Sequence, residues 1–396
     1  MKKKILFISN NFWPENFRSF DAVNLIKEKT NITVLTGYPS YPEKKYYKNF
    51  NFKNDDKINS FKIHRVPTFK RTFNKFSILL NYISFIFNGI FIGTILLKND
   101  KFDYIICFAS SPIYQSILTL WFSKIKKCKS IIWVQDIWPE TIKEIGYIKN
   151  NTILKIIKST VVFLYKNHDL ILTQSISYKN YLKKSFPNTK YLPNPVDKFK
   201  NVSNSNQLIK FDKNKKYITY TGNIGLAQNF DLLLKAAKYF KNNSTIKFLI
   251  IGNGIKFEIV KKKILDEKLN NVKLFEAIPR DEVFNVLEKS DVLFLSLNDG
   301  FISNHVTPAK FQTYTFFSKP ILAQVNGDPK YMIEKYKCGF VINNNNFDEM
   351  KECICSIINY SKLDLLKIGE NAKRLFKNEF SNKLFLGRFL KILNEL

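Results

Sequence analysis

Short apolar runs recur along this chain, and most are followed by a polar loop and then by a stretch with helical spacing. Residues 4–9, 32–36, 61–66, 104–108, 130–135 and 170–173 form a first series, and residues 217–221, 247–251, 272–275, 292–296 and 321–323 form a second. Strands so short and so uniformly apolar are buried on both faces, and strands that alternate with helices pair in parallel. The pattern predicts an α/β chain with mostly parallel sheets covered by helices. Ligands bind such sheets beyond the carboxyl ends of the strands, so the loops after the runs are where chemistry is to be sought.

A chain of 396 residues exceeds what one core usually serves. The two series part at Leu192-Pro-Asn-Pro-Val-Asp197, a rigid turn followed by a polar stretch to Lys216. We therefore expect domains at 1–195 and 196–375, with 376–396 a terminal helix packing back toward the first. The five cysteines have no metal-ligand spacing and suit a reduced, cytosolic setting. The apolar segment after Lys2-Lys3-Lys4 is too short for a signal peptide and reads as a first strand.

The formal charge is +30, of which residues 1–195 carry +19 and residues 196–396 carry +11. Such a surface favours anionic partners, although a chain-wide abundance of Lys, Asn, Ile and Phe accounts for part of it. Phe76–Leu97 holds no charged residue and is flanked by Lys70, Arg71, Lys75, Lys98 and Lys101. Its length would allow a membrane span. A single crossing would put strands of one sheet on opposite sides of the bilayer, so the stretch reads as a crossover helix with one face in a membrane interface.

Within the second domain, Thr307 is a plausible helix N-cap and Pro308 a first helical residue, leading to a helix over 309–317. Its first turn carries Lys310 and no acid, although a helix N-terminus ordinarily attracts one. A lysine beside free backbone N–H groups suits a bound phosphate. Two glycine loops also follow strands: Gly222-Asn223-Ile-Gly225, with Gln228 close behind, and Gly252-Asn253-Gly254. Glycines there would let backbone N–H groups approach a nucleotide. In the first domain the strand-end loops are Asn10–Arg18 and Asp136–Glu140, and each contains Trp-Pro-Glu. Asp136 is either a cap for the helix near Pro139 or a group that positions a substrate.

Together, Pro14-Glu-Asn-Phe-Arg18, Thr36-Gly-Tyr-Pro-Ser-Tyr-Pro42, Trp133-Val-Gln-Asp-Ile-Trp-Pro-Glu140, Leu192–Asp197, Gly222–Gly225, Pro308-Ala-Lys310 and Lys319-Pro-Ile321 resemble the glycosyltransferases of family 4. The likeness is greatest to the group that builds bacterial O-antigens and capsules and includes presumed fucosamine (L-FucNAc) transferases. It implies a GT-B fold, two Rossmann-like domains with parallel sheets facing across a cleft, the first holding the acceptor and the second the nucleotide-sugar. It further implies retaining, metal-independent transfer of a UDP-linked amino sugar to a lipid-linked or surface-polysaccharide acceptor. No cofactor and no metal site are expected. The setting would be the cytoplasmic face of the cell membrane, in lipopolysaccharide or capsule biosynthesis.

The residue roles so implied are catalytic for Asp136, Lys310, Glu15 and Arg18, and acceptor-binding for Asn16, Arg18, Trp138 and Glu140. Donor contacts fall to Gly222, Asn223, Gly225, Gln228, Gly252, Asn253, Gly254, Pro308, Lys310 and Thr313. The chain departs from the wider family where His305 and Thr313 stand in place of a glutamate pair, Asn223 and Gln228 in place of Arg and Lys, and Gln135 in place of a histidine. A sugar-nucleotide epimerase of the same architecture would need cleft carboxylates and a histidine, and the chain offers only His64, His168 and His305. A basic membrane- or nucleic-acid-binding protein is the non-enzymatic alternative. No nucleic-acid reading motif is present.

Overall fold

The computed structural model of the chain describes residues 2–15, 17–40, 61–72, 74–196, 209–343 and 345–396, with the backbone of 55–58. It divides into two compact units, residues 1–195 with 382–396, and residues 196–381. The expected strands form, none displaced by more than one residue at either end.

In the first unit the strands are β1 (Lys4–Ile8), β2 (Asn31–Gly37), β3 (Asp55–Ile58), β4 (Phe61–Val66), β5 (Tyr104–Ala109), β6 (Lys129–Val134), β7 (Leu170–Thr173) and β8 (Thr189–Tyr191). They pair in the order β3-β4-β2-β1-β5-β6-β7-β8. All pairs are parallel except β3 with β4. The strands β3 and β8 were not expected. Asp55-Asp56-Lys57 reads as a solvated loop, but an edge strand tolerates charge because one of its sides has no neighbour. Three residues of β8 are too few to show a period.

Helices cover both faces. On one, Ala22, Val23, Leu25 and Ile26 of the helix Arg18–Ile26 pack on Phe7 and Val34, joined by Phe385, Phe389, Ile392 and Leu393 of the helix Asn382–Asn394. That first helix spans Arg18–Ile26, where the sequence suggests 20–29. The terminal helix is bound into the first unit, with Phe385 stacked on Trp133 at 5.9 Å between ring centres. Tyr104 donates its hydroxyl to Leu393 O at 2.6 Å. Residues 376–380 stay with the second unit, where Phe380 packs edge-on against Phe311, so the division falls at 381 and not at 375.

On the other face lie the helices Lys75–Leu96 and Ile117–Lys126. A Cβ added at Gly89 would sit 2.6 Å from Leu118, and one at Gly93 would sit 3.2 Å from Phe122, so these two glycines set how closely the helices approach.

In the second unit, β9 (Lys216–Thr221), β10 (Ile246–Ile251), β11 (Val272–Phe275), β12 (Val292–Ser296), β13 (Ile321–Gln324) and β14 (Gly339–Val341) pair in parallel in the order β11-β10-β9-β12-β13-β14. The short edge strand β14 was not expected either. The strand order reverses between β9 and β12. Crossover connections diverge there and leave an opening at the carboxyl ends.

Candidate active site

The opening beyond β9 is occupied by Lys310. This residue stands at the second position of the helix Ala309–Phe316, whose N-cap is Pro308, without a side-chain cap bond. The expected cap, Thr307, is buried, and its hydroxyl points to Asp328 at 3.5 Å. In the first turn the Phe311 N–H donates to Pro308 O at 2.9 Å, whereas that of Lys310 has no acceptor among the described residues. Phe311 and Tyr314 enter the core while Phe317 is only half-buried.

The Lys310 ammonium lies 3.8 Å from the centre of the Tyr220 ring and donates to the Tyr220 hydroxyl at 2.5 Å. That hydroxyl donates in turn to Asn223 O at 2.5 Å. No carboxylate pairs with Lys310 among the described residues. Burial without a counter-charge pushes the ammonium down to about 7. A lysine in that condition gains most from an arriving anion, which would both pair with it and restore its proton.

The glycine loops are arranged around each other. Gly222 N–H donates to Ile251 O, Ile224 N–H to Asn253 O and Gly252 N–H to Phe275 O, all at 2.9–3.0 Å. Gly225 N–H donates to Gln228 Oε1 at 3.0 Å. These amides are therefore spent within the protein, contrary to the expectation that they meet a phosphate. Asn223, Asn253 and Gly254 retain backbone N–H groups without acceptors among the described residues. The role of Gly222 and Gly252 is close approach. A Cβ at Gly252 (φ +152°) would lie 1.8 Å from Gly222 O, and one at Gly222 (φ +125°) would lie 3.1 Å from Lys310 Nζ. Gly252→Ala should thus cost ~3 kcal/mol or more in a denaturant melt. A melt within ~0.5 kcal/mol of wild type would reject this account.

Other donor candidates are engaged locally. The Thr313 hydroxyl donates to Ala309 O at 3.2 Å, and Asn253 Oδ1 accepts from Ala277 N at 3.2 Å. The strand-end polar groups continue beyond them. Ser296 Oγ, at the end of β12, accepts from Asn229 N at 3.0 Å and donates to Gln324 Oε1 at 3.2 Å, and Gln324 Nε2 donates to Asn345 Oδ1 at 2.5 Å.

In the first unit the loops after β1, β5 and β6 are knitted together. Trp13-Pro14, Ser111-Pro112 and Trp138-Pro139 all have cis peptide bonds. Asp136 Oδ2 accepts from Ser111 N and from Ser111 Oγ, both at 2.8 Å, and the same hydroxyl accepts from Trp138 Nε1 at 3.0 Å. The helix behind it, Glu140–Glu144, has Pro139 as N-cap and no side-chain cap. Asp136 is not a helix cap; it anchors the loop after β5. Its Oδ1 has no protein partner among the described residues. Burial raises the acid, and the Ser111 bonds offset only part of that.

Glu15 does not face an open site. It is buried, with Oε2 accepting from Asn11 Nδ2 at 3.0 Å and Oε1 from Ser40 N at 2.7 Å, so it ties the loop after β1 to the loop after β2. Arg18 pairs with Asp21 at 3.1 Å across the first turn of its helix. Glu140 is half-buried at the first position of its short helix. Asn16 lies outside the described residues, as do Tyr41, Pro42, Asp197 and the linker 198–208.

Around Asp136 the structure adds residues that were not singled out. Tyr114 packs edge-on to Trp138 at 5.6 Å, and the Arg71 guanidinium lies 5.5 Å over the Tyr82 ring. Tyr82 is raised above the usual phenol range, chiefly by burial; the nearby Arg71 partly offsets this. Tyr220 and Ser111 were also missed. Both sit at strand ends and were within reach of the carboxyl-end rule, but neither carries a charge that would draw the eye.

Residues 203–375 match the family model described as Glycosyl transferases group 1. Across 94% of its length the chain is 23% identical to an uncharacterised glycosyltransferase of Methanocaldococcus jannaschii, covering 92% of that protein. It is 22% identical to the probable glycosyltransferase WbjE of Pseudomonas aeruginosa over 68% of each chain. Among solved structures it superposes on Anabaena HepE, determined with UDP and glucose, at TM-score 0.69 with 12% identity and 100% coverage of both chains. The two parallel sheets thus have the GT-B fold, and the sequence likenesses are to glycosyltransferases.

Proposed function

We propose that this chain, whose residues 203–375 match the group 1 glycosyl transferases, transfers a sugar from a nucleoside diphosphate donor held by its second unit. The observation that carries this reading is Lys310, a half-buried lysine with no acid partner among the described residues, in the first turn of a helix whose N-cap gives no side-chain bond, beside Gly222 at the strand-order reversal. When the bond between the sugar's anomeric carbon and the diphosphate breaks, negative charge grows on the phosphate oxygens. Lys310 and the helix N-terminus would meet that charge without a metal.

The donor is a UDP-linked amino sugar, and the anomeric configuration is retained. The acceptor hydroxyl attacks the anomeric carbon and gives its proton to the departing phosphate oxygen. The acceptor is a lipid-linked oligosaccharide of O-antigen or capsule type. Likeness to HepE, determined with UDP and glucose, supports the base, and the amino sugar, the retained configuration and the acceptor rest on the resemblance carried by the strand-end motifs.

A thermal-shift panel of UDP-, GDP-, dTDP- and CMP-linked sugars tests the donor. A UDP-linked 2-acetamido sugar at a hundred times its Kd should stabilise the protein by about 2.7 kcal/mol. Stabilisation by another base alone would overturn the UDP reading. EDTA should leave turnover unchanged, and the product should carry the donor's anomeric configuration by NMR.

A further inference from the structure

The helix Lys75–Leu96 is inside out. Its buried positions are Asn81, Phe85, Gly89 and Gly93, whereas Leu79, Ile83, Phe87, Phe91 and Ile95 repeat every fourth residue on the solvent side, each more than half exposed. An ordinary surface helix has the reverse arrangement. The next helix on the same face, Ile117–Lys126, adds exposed Ile117, Trp121 and Ile125. Trp121 Nε1 donates to Thr94 Oγ1 at 3.0 Å, so the two exposed rows form one continuous apolar face. Aqueous proteins rarely leave such a face uncovered.

Within the helices that carry it the charges have one sign, although Asp100 and Asp103 follow Lys98 beyond the end of the long helix and Asp136 lies near Tyr82. Neither helix contains an Asp or Glu, nor does the helix Asn151–Asn167, which exposes Ile153, Ile156 and Phe163 among its lysines. Lys70 and Lys75 stand exposed at one end of the long helix, and Lys98, Lys124 and Lys127 at the other. An apolar strip bordered by lysines complements a bilayer surface whose headgroups are negative and whose acyl chains begin just below them. The strands β4 and β5 on either side of the helix lie in one sheet with β2 and β1 between them. That helix therefore cannot cross a bilayer without dividing the sheet.

We propose that this face docks the first unit on an anionic phospholipid bilayer, lying in the interface and not crossing it. The inference is independent of the donor assignment. Arg71 and Tyr82, beside the Asp136 loop, belong to the entrance of the same helix, so the docked face would bring the carboxylate to the headgroup level.

The test is co-sedimentation with phosphatidylcholine vesicles with and without phosphatidylglycerol. Wild type should bind the anionic vesicles at low salt and be released by high salt and by alkaline carbonate. Ile83→Glu/Phe87→Glu should lower the partition coefficient roughly tenfold or more while leaving the melting temperature and nucleotide binding unchanged. As a second measurement that needs no altered face, brominated lipid should quench wild-type fluorescence, and Trp121→Phe should remove most of that quenching. Resistance to carbonate would indicate a span and overturn the proposal. So would binding unchanged in the Glu variant, absence of quenching, or a dimer by light scattering that the Glu variant dissolves, which would assign the face to a second copy.

Discussion

Lys310→Ala is expected to weaken binding of a nucleoside diphosphate roughly tenfold to a hundredfold, the ~1.5–3 kcal/mol of a charge-assisted contact. Stability should not fall with it, since no carboxylate among the described residues is left stranded and the desolvation cost of the ammonium is relieved. The pH profile is more diagnostic. With the ammonium pushed down to about 7, the free protein loses its proton as pH rises through neutrality, and the diphosphate must bind the protonated form. Wild-type affinity should therefore fall by up to about tenfold per pH unit above 7, with proton uptake on binding visible by calorimetry in buffers of different ionisation enthalpy. The variant should show neither.

The same lysine shapes the stability of the free protein. Its folded value is lowered from 10.5, so between about 7 and 10.5 the unfolded chain holds a proton that the folded one has released. Stability gains from rising pH across that window and bears the full desolvation cost below it. An unaltered affinity and a flat wild-type pH profile would together remove Lys310 from the diphosphate site.

Asp136 separates two roles by two substitutions. Asp136→Asn keeps an oxygen to accept from Ser111 N and removes a charge that burial disfavours, so its melting temperature at neutral pH should not fall. Asp136→Ala leaves the Ser111 N–H without its acceptor and should lose about 1–3 kcal/mol. If the free Oδ1 positions a substrate hydroxyl, both variants should lose kcat by at least about a hundredfold with donor affinity retained. Normal turnover in Asp136→Asn alongside a destabilised Asp136→Ala would make this carboxylate a loop anchor and nothing more.

The sheets were legible in the sequence because a strand buried on both faces must be apolar throughout, as Ile131 to Val134 and Leu293 to Leu295 are. The edges were not, since β3, β8 and β14 lie where that requirement lapses. Lys310 could be found because it breaks a helix preference that needs no neighbour to state. That Tyr220 sits at a strand end was legible, but that it lies beneath Lys310 depends on a contact across ninety residues of chain. Glu15 was assigned a catalytic role through the resemblance, and the structure shows what the sequence could not. A charged residue in a strand-end loop reads alike whether it faces a ligand or, like Glu15, holds two loops together with a buried carboxylate.

The helix Asn382–Asn394 places the end of the chain in the core of the unit that begins it. Synthesis runs from the first residue to the last, and a domain whose residues are contiguous can close as soon as it leaves the ribosome. Here the second unit can do so, but the first cannot. Trp133 waits for Phe385, and Tyr104 waits for the Leu393 carbonyl, until residues 382–394 have been made. During that interval the nascent first unit exposes part of its apolar sheet as well as its outer helix face. The unit begun first is thus completed only after all residues of the second have been made, when the helix Asn382–Asn394 emerges.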